Sequence, residues 1–233
     1  MSSVTSQGLT NILLGTELGG NAKLQYVVSY AVPSKILGKS KDGNSSGFSF
    51  GVVQLDIANN SFARKAYGEI LDGALTAGTI TQAQHTQFMR YSGKQRPDLD
   101  ANLSSSYSAD RKTLTDKVFT TEAAHGIIDK YTLEYVSSSL HPSVDKFLDA
   151  VEEKWGPDTV FSTENADFHT AVAAMTSISN RTGGLRGSTK YFVNLPSAPN
   201  VLSDVKKRYD SVLGDHWHLV EKGTETYKAG GVL

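Results

Sequence analysis

The chain has 233 residues, 39% of them hydrophobic and 20% charged, ordinary proportions for a globular protein with a sizeable core. A formal net charge of −1 gives no global signal for nucleic acid or a membrane surface, though a local basic cleft is compatible with it. The absence of cysteine excludes disulfides, zinc-thiolate sites and a cysteine nucleophile. The segment from Met1 to Gln7 lacks the basic and apolar regions of a conventional signal peptide, and no apolar run is long enough to insert in a bilayer. The expectation is synthesis in the cytoplasm, with any export by another route.

Thr5 to Glu17 reads as a short helix stopped by Gly19 and Gly20. Leu24 to Tyr30, with two aromatics and two valines, reads as β-like. Lys39 to Gly47 is a polar Gly/Ser/Asn loop. Phe48 to Leu55 fits either a strand or the entry to a helix, because periodicity does not decide over so short a run.

Beyond this point the pattern is helical. Phe62, Ala66, Tyr67, Ile70, Leu71, Ala74 and Leu75 recur at three and four, giving an amphipathic helix that ends near Gly78. Thr81 and Gln84 fit a capping box for a helix running to about Tyr91. Arg96 to Ser108 is polar and reads as a loop. Ala124, Ile127, Ile128, Tyr131 and Tyr135 mark another helix; Val144, Phe147, Leu148 and Val151 mark the next, with Pro142 at its start. Phe168, Val172, Met175 and Ser179 line a further helix, followed by Asn180, Arg181, Thr182, Gly183 and Gly184. Leu202, Val205, Tyr209 and Val212 give a last one, stopped by Gly214, and the tail from Asp215 reads as extended or frayed. No internal repeat or linker interrupts the chain. The expectation is one α+β domain, mainly helical, with a small β lobe over about residues 20–58 and a helical lobe over about 60–214.

Two carboxylates stand out. Glu17 ends the first helix beside Leu13, Leu14 and Leu18, and apolar surroundings would raise its pKa and suit it to general acid work. Its plainer role is a solvated glutamate at a helix end. Asp56 follows the β-like run; it fits a base that activates water or an electrostatic partner to an oxocarbenium ion, and equally a cap for the turn at Ile57 to Asn60. Carboxylates on separate elements are what glycosidic cleavage needs. Ser49 would orient the attacking water, and Gln54 would bind a sugar hydroxyl or N-acetyl group. Gly47 and Gly51 allow close backbone approach to a ligand or simply punctuate turns. Asn180 and Arg181 line a cleft or cap a helix; Arg186 is a lesser candidate for the same work. His216 and His218 would share one side of a strand, but no third metal ligand is identifiable, so no metal and no cofactor is expected.

These residues carry a resemblance to the lysozyme-like superfamily, in particular to pesticin-type and phage-endolysin-type muramidases. Those proteins place a Glu at the end of an early helix, then a segment reading roughly Ser-Gly-Val-Thr-Ile-Gly-x-Gly-x-Asp-Leu-Gly, and later a helix ending in Ser-Leu-Val-x-Asn-Arg-Gly. The matching stretches are Glu17, Ser46 to Gly51 leading to Asp56, and Thr176 to Gly183. Asp56 lies one residue further from Gly51 than in the family, Ser49 stands where the family has Thr, and Val53 replaces the second Gly. Gly47 to Gln54 is also similar to the Gly-Ser-x-Gly-x-x-Gln segment of lytic transglycosylases and goose-type lysozymes, in which one Glu does most of the acid–base work.

The resemblance implies a lysozyme-like fold and cleavage of the β-1,4 bond between N-acetylmuramic acid and N-acetylglucosamine in peptidoglycan strands. Glu17 would be the acid, Asp56 and Ser49 the water-handling pair, and Gln54, Asn180, Arg181 and Gly51 the substrate contacts. It also implies action on the cell wall after release or delivery, with an immunity protein or a delivery apparatus as partner if the chain is a bacterial effector. Alternatives are a transglycosylase forming 1,6-anhydro products, a chitosanase, or a glycan-binding or phage structural protein that keeps the fold without turnover.

Overall fold

The computed structural model describes residues 4–30, 46–95 and 107–230. The chain forms two compact units: one from residues 1–22 and 135–233, the other from residues 23–134.

In the first unit, α1 (Ser6–Leu18) begins where the Thr5 hydroxyl accepts a hydrogen bond from the Gly8 N–H, a cap worth about 1 kcal/mol. It ends where the Gly19 and Gly20 N–H groups turn back onto the Gly15 and Leu14 carbonyls. Its buried face holds Leu9, Ile12 and Leu13. Against it pack α7 (Phe168–Thr182) and α10 (Trp217–Lys228). Helix α9 (Leu202–Leu213) joins this group through α7, and α6 (His141–Trp155) packs on α8 (Ser188–Val193). Phe147, Phe161 and Phe192 meet edge to face with centroids 4.8–5.7 Å apart, a preferred aromatic geometry.

Helices α1 and α10 approach each other closely. A Cβ on Gly15 would lie 2.4 Å from the Lys222 carbonyl oxygen, and one on Gly223 would lie 2.5 Å from Thr16 Cγ2. Both positions therefore require glycine. The tail after Gly214 is accordingly a packed helix rather than an extended segment. Its buried residues include Gly223, Thr224 and Thr226 beside Val220, so it is held by backbone proximity and small side chains.

The second unit holds a three-stranded antiparallel sheet in the order β1 (Ser29–Tyr30), β2 (Phe48–Phe50), β3 (Leu55–Asp56). Ser49 pairs with Ser29 on one side and Asp56 on the other. With the sheet are α2 (Ser61–Thr76), α3 (Gln82–Met89), α4 (Tyr107–Thr113) with a π turn at Leu114–Val118, and most of α5 (Glu122–Tyr135). Asn60 caps α2 by accepting from the Phe62 and Ala63 N–H groups. Thr81 and Gln84 form the expected capping box. Phe50 lies edge-on to Phe119 at 5.1 Å, and Tyr67, buried beside it, donates to the Phe88 carbonyl at 3.0 Å.

The architecture is mainly helical with a small sheet, as the sequence indicates, but some segments differ. Most of Leu24 to Tyr30 is not strand. Ala22–Tyr26 is a 3₁₀ turn, Leu24 is 43% exposed, and the Gln25 carbonyl accepts from the Gly51 N–H at 2.7 Å instead of joining a ladder. Pro142 lies in the first turn of α6, yet the helix does not start afresh there. A π turn at Val136–Leu140 runs directly into it, with the His141 N–H reaching the Val136 carbonyl. Of the polar loop at 39–47 only Ser46 and Gly47 are described. Of the segment from Arg96 to Ser108, residues 96–106 lie outside the described residues and Tyr107 opens α4. Among the described residues no helix is long and apolar enough to cross a membrane.

Candidate functional site

Glu17 is the penultimate residue of α1, and Arg181 lies in the last turn of α7. These two helices pack on each other, which brings together side chains 164 positions apart. Arg181 Nε donates to Glu17 Oε1 at 3.0 Å and its Nη2 donates to the Thr16 carbonyl at 2.9 Å. The Glu17 side chain is only 8% exposed and that of Arg181 24%. The carboxyl is thus fixed at one oxygen, and Oε2 takes no hydrogen bond among the described residues. The setting is not the purely apolar one expected from the flanking leucines. Leu13, Leu14 and Leu18 are buried beneath, but a guanidinium stands beside the acid.

The base of this pair is polar. Tyr209 on α9 is fully buried. Burial pushes its phenol up, Ser177 and Arg181 pull it down, and Glu17 and Asp210 raise it further. Thr16 and Thr176 are also buried, and their hydroxyl oxygens have no hydrogen-bond partner. Buried polar groups left unpaired are costly; Thr16 directly precedes Glu17 in α1, and Thr176 lies in α7. Tyr209 reads in the sequence only as an apolar helix position. Its site role has no linear signal, because it comes from α9 packing on α7. Asn180, one residue before Arg181, is half-exposed at the end of α7.

The glycine-rich segment belongs to the second unit. Asp56 Oδ1 accepts from the Gly47 N–H and the Ala58 N–H, each at 2.9 Å, and Oδ2 accepts from Asn59 Nδ2 at 2.8 Å. Three donors thus hold this carboxylate in a turn-closing role, the plainer of the two readings. Ser49, on β2, is buried. Gln54 sits at the hairpin turn with φ of 53°, a left-handed conformation uncommon for a residue with a side chain. Its Oε1 accepts from Ser29 Oγ at 3.0 Å and its Nε2 donates to the Gly51 carbonyl at 3.3 Å. A Cβ on Gly47 would lie 2.5 Å from the Lys94 carbonyl oxygen. Gly51, with φ of 75°, faces Thr132 and Ile128. At both glycines the close approach is to protein.

Arg186 also has a left-handed φ, 46°, and is exposed. Its carbonyl accepts from Arg208 Nη2, while Arg208 Nε donates to Ser188 Oγ at 3.0 Å. His216 precedes α10 and His218 lies inside it, so strand geometry does not apply to them. Among the described residues no group of three or more His, Asp or Glu is placed to hold a metal.

Glu17, Asn180 and Arg181 therefore belong to the first unit, and Ser49, Gly51, Gln54 and Asp56 to the second. The chain matches no family model, no curated protein and no solved structure.

Proposed function

We propose that the protein is a peptidoglycan glycosidase of the muramidase type, with a lysozyme-like fold, in which Glu17 is the proton donor to the glycosidic oxygen. The observation that carries the reading is the Glu17–Arg181 pair at 3.0 Å. It joins the ends of the two helices whose sequences bear the muramidase resemblance. In this reading Arg181 is a positioning residue. It holds Oε1 and the Thr16 carbonyl together, so the carboxyl presents Oε2 in one orientation, and oriented acid–base groups contribute about 10²–10⁴-fold to such reactions. The substrates are peptidoglycan strands, and the reaction uses no cofactor.

A second reading, lytic transglycosylation, is favoured by one observation. Asp56 already accepts three hydrogen bonds, which leaves it poorly suited to take a proton from water. In that case the muramoyl 6-hydroxyl attacks in place of water, and Glu17 alone handles the proton. Digestion of purified peptidoglycan with the wild-type chain and with Glu17→Gln, followed by mass spectrometry of the new ends, tests both. Reducing muramic ends support hydrolysis and 1,6-anhydro ends support transglycosylation. Wild-type protein that generates neither end, or Glu17→Gln protein as active as wild type, would end the proposal.

A further inference from the structure

A second cluster of reactive side chains lies away from Glu17, at the opposite end of α1. Ser6 is the first residue of α1, and His141 and Asp145 occupy consecutive turns of α6. Ser6 Oγ is 2.9 Å from His141 Nδ1, and His141 Nε2 is 3.3 Å from Asp145 Oδ2. The second is a close charge approach rather than an aligned hydrogen bond, and a carboxylate at that distance favours the tautomer with the ring hydrogen on Nε2. In the neutral ring Nδ1 is then left as an acceptor, and the Ser6 hydroxyl donates to it. Nucleophile and base are thereby bonded, and a carboxylate lies on the far side of the ring, in the order that serine acyl transfer requires. The familiar arrangement uses the two ring nitrogens the other way round; both belong to one conjugated ring, and either can carry the transferred proton.

Three further features bear on this cluster. Asp145 Oδ1 is buried with no hydrogen-bond partner, so the carboxylate has no competing donor to draw it from His141. The Ser6 and Gln7 N–H groups open α1 with no intrahelical acceptor, while the next two, Gly8 and Leu9, are taken by Thr5. Free N–H groups at a helix start, next to a nucleophile, suit an oxyanion. The π turn at Val136–Leu140 packs on α1 and runs directly into His141, and such turns recur at functional sites. Ser6 is half-exposed and the His141 side chain is 24% exposed, so a small reagent can reach both.

We infer that Ser6, His141 and Asp145 form a nucleophilic acyl-transfer site that takes small esters of about acetyl size. Ser6 Oγ attacks the carbonyl carbon while its proton passes to His141 Nδ1. The bond to the alcohol oxygen breaks, and the alcohol leaves with that proton. Water then attacks the Ser6 ester, giving its proton to the same nitrogen; the bond to Ser6 Oγ breaks, Oγ takes that proton back, and the acid is released. Ser6 and His141 are the catalytic residues and Asp145 a positioning residue. This activity involves no glycan and stands or falls independently of the glycosidase reading.

The test is reaction of the full chain with a fluorophosphonate probe, which loses fluoride to an activated serine, and peptide mass spectrometry to locate the adduct. The expected result is an adduct on Ser6 of the wild-type protein, with turnover of 4-nitrophenyl acetate. His141→Ala slows labelling by about 10²-fold or more. Asp145→Asn slows it about tenfold, and Asp145→Glu recovers part of the rate, which a purely structural role would not give. Wild-type protein with no adduct on Ser6, or a folded His141→Ala protein labelled at the wild-type rate, overturns the inference and reduces the Ser6–His141 bond to a tether between two helices.

Discussion

The Arg181 guanidinium closes on the end of α1 through two donors, Nε to Glu17 Oε1 and Nη2 to the Thr16 carbonyl. One side chain therefore fixes both the Glu17 carboxyl and the backbone immediately before it. A carboxylate gripped only through its own oxygen could swing with the helix end; this one cannot without breaking two hydrogen bonds.

Glu17→Gln is expected to lower lysis of purified peptidoglycan by about 10²–10⁴-fold, because an amide cannot donate the acid's proton. The amide oxygen still accepts from Arg181, but a guanidinium 24% exposed loses its counter-charge. A stability loss of about 1–2 kcal/mol is expected, read from urea unfolding. The lytic defect is far larger than this loss can explain if Glu17 is the acid.

Arg181→Lys keeps the charge and loses the fork. An ammonium is a point donor and does not reproduce the two directed contacts to Glu17 and Thr16. Lysis should fall roughly tenfold to a hundredfold, the equivalent of about 1.5–3 kcal/mol for a hydrogen bond to a charged group. Circular dichroism should show an unchanged helical content. Activity equal to wild type would remove Arg181 from the site.

Asp56→Asn separates a turn residue from a base. Its three donors lose a charged acceptor, and a cost of about 1–3 kcal/mol is expected. The lytic rate per folded molecule should stay within about tenfold of wild type, since general base catalysis is the larger effect at about 10²–10⁴-fold. A drop of that larger size in a folded protein would return Asp56 to the catalytic pair.

Gly223→Ala places a methyl 2.5 Å from Thr16 Cγ2 and 3.0 Å from the Ile12 carbonyl oxygen. Overpacking of this kind costs about 1–3 kcal/mol. Because Thr16 precedes Glu17, lysis should fall along with the urea midpoint. Gly126→Ala is the counterpart: nothing lies within 4 Å of its Cβ in α5, and alanine in a helix interior should stabilise by about 0.5–1 kcal/mol. Equal effects at the two positions would contradict the close α1–α10 contact.

Much of the helical framework is legible in the sequence, because its signals are local. Apolar spacing at three and four marks α2, α6, α7 and α9, and the Thr81–Gln84 box needs only four residues. Helix α10 carries the same spacing in Trp217, Val220, Thr224 and Tyr227, but that spacing does not show that it packs through Gly223, Thr224 and Thr226. The 3₁₀ turn at Ala22–Tyr26 escapes the sequence reading. Its residues suit a strand, but Gln25 finds its backbone partner in Gly51, and β propensity yields to tertiary context. At the sites the division is the same. Composition and motif single out Glu17, Asp56 and Arg181 as polar residues worth attention. Asp56 meets Ala58 and Asn59 two and three residues on, so its turn is a local reading. Only packing decides that Arg181 reaches Glu17 and that Ser6 meets His141 across 135 positions. A hydrogen bond acts over about 3 Å, and which groups come that close is set by helix packing that no local segment encodes.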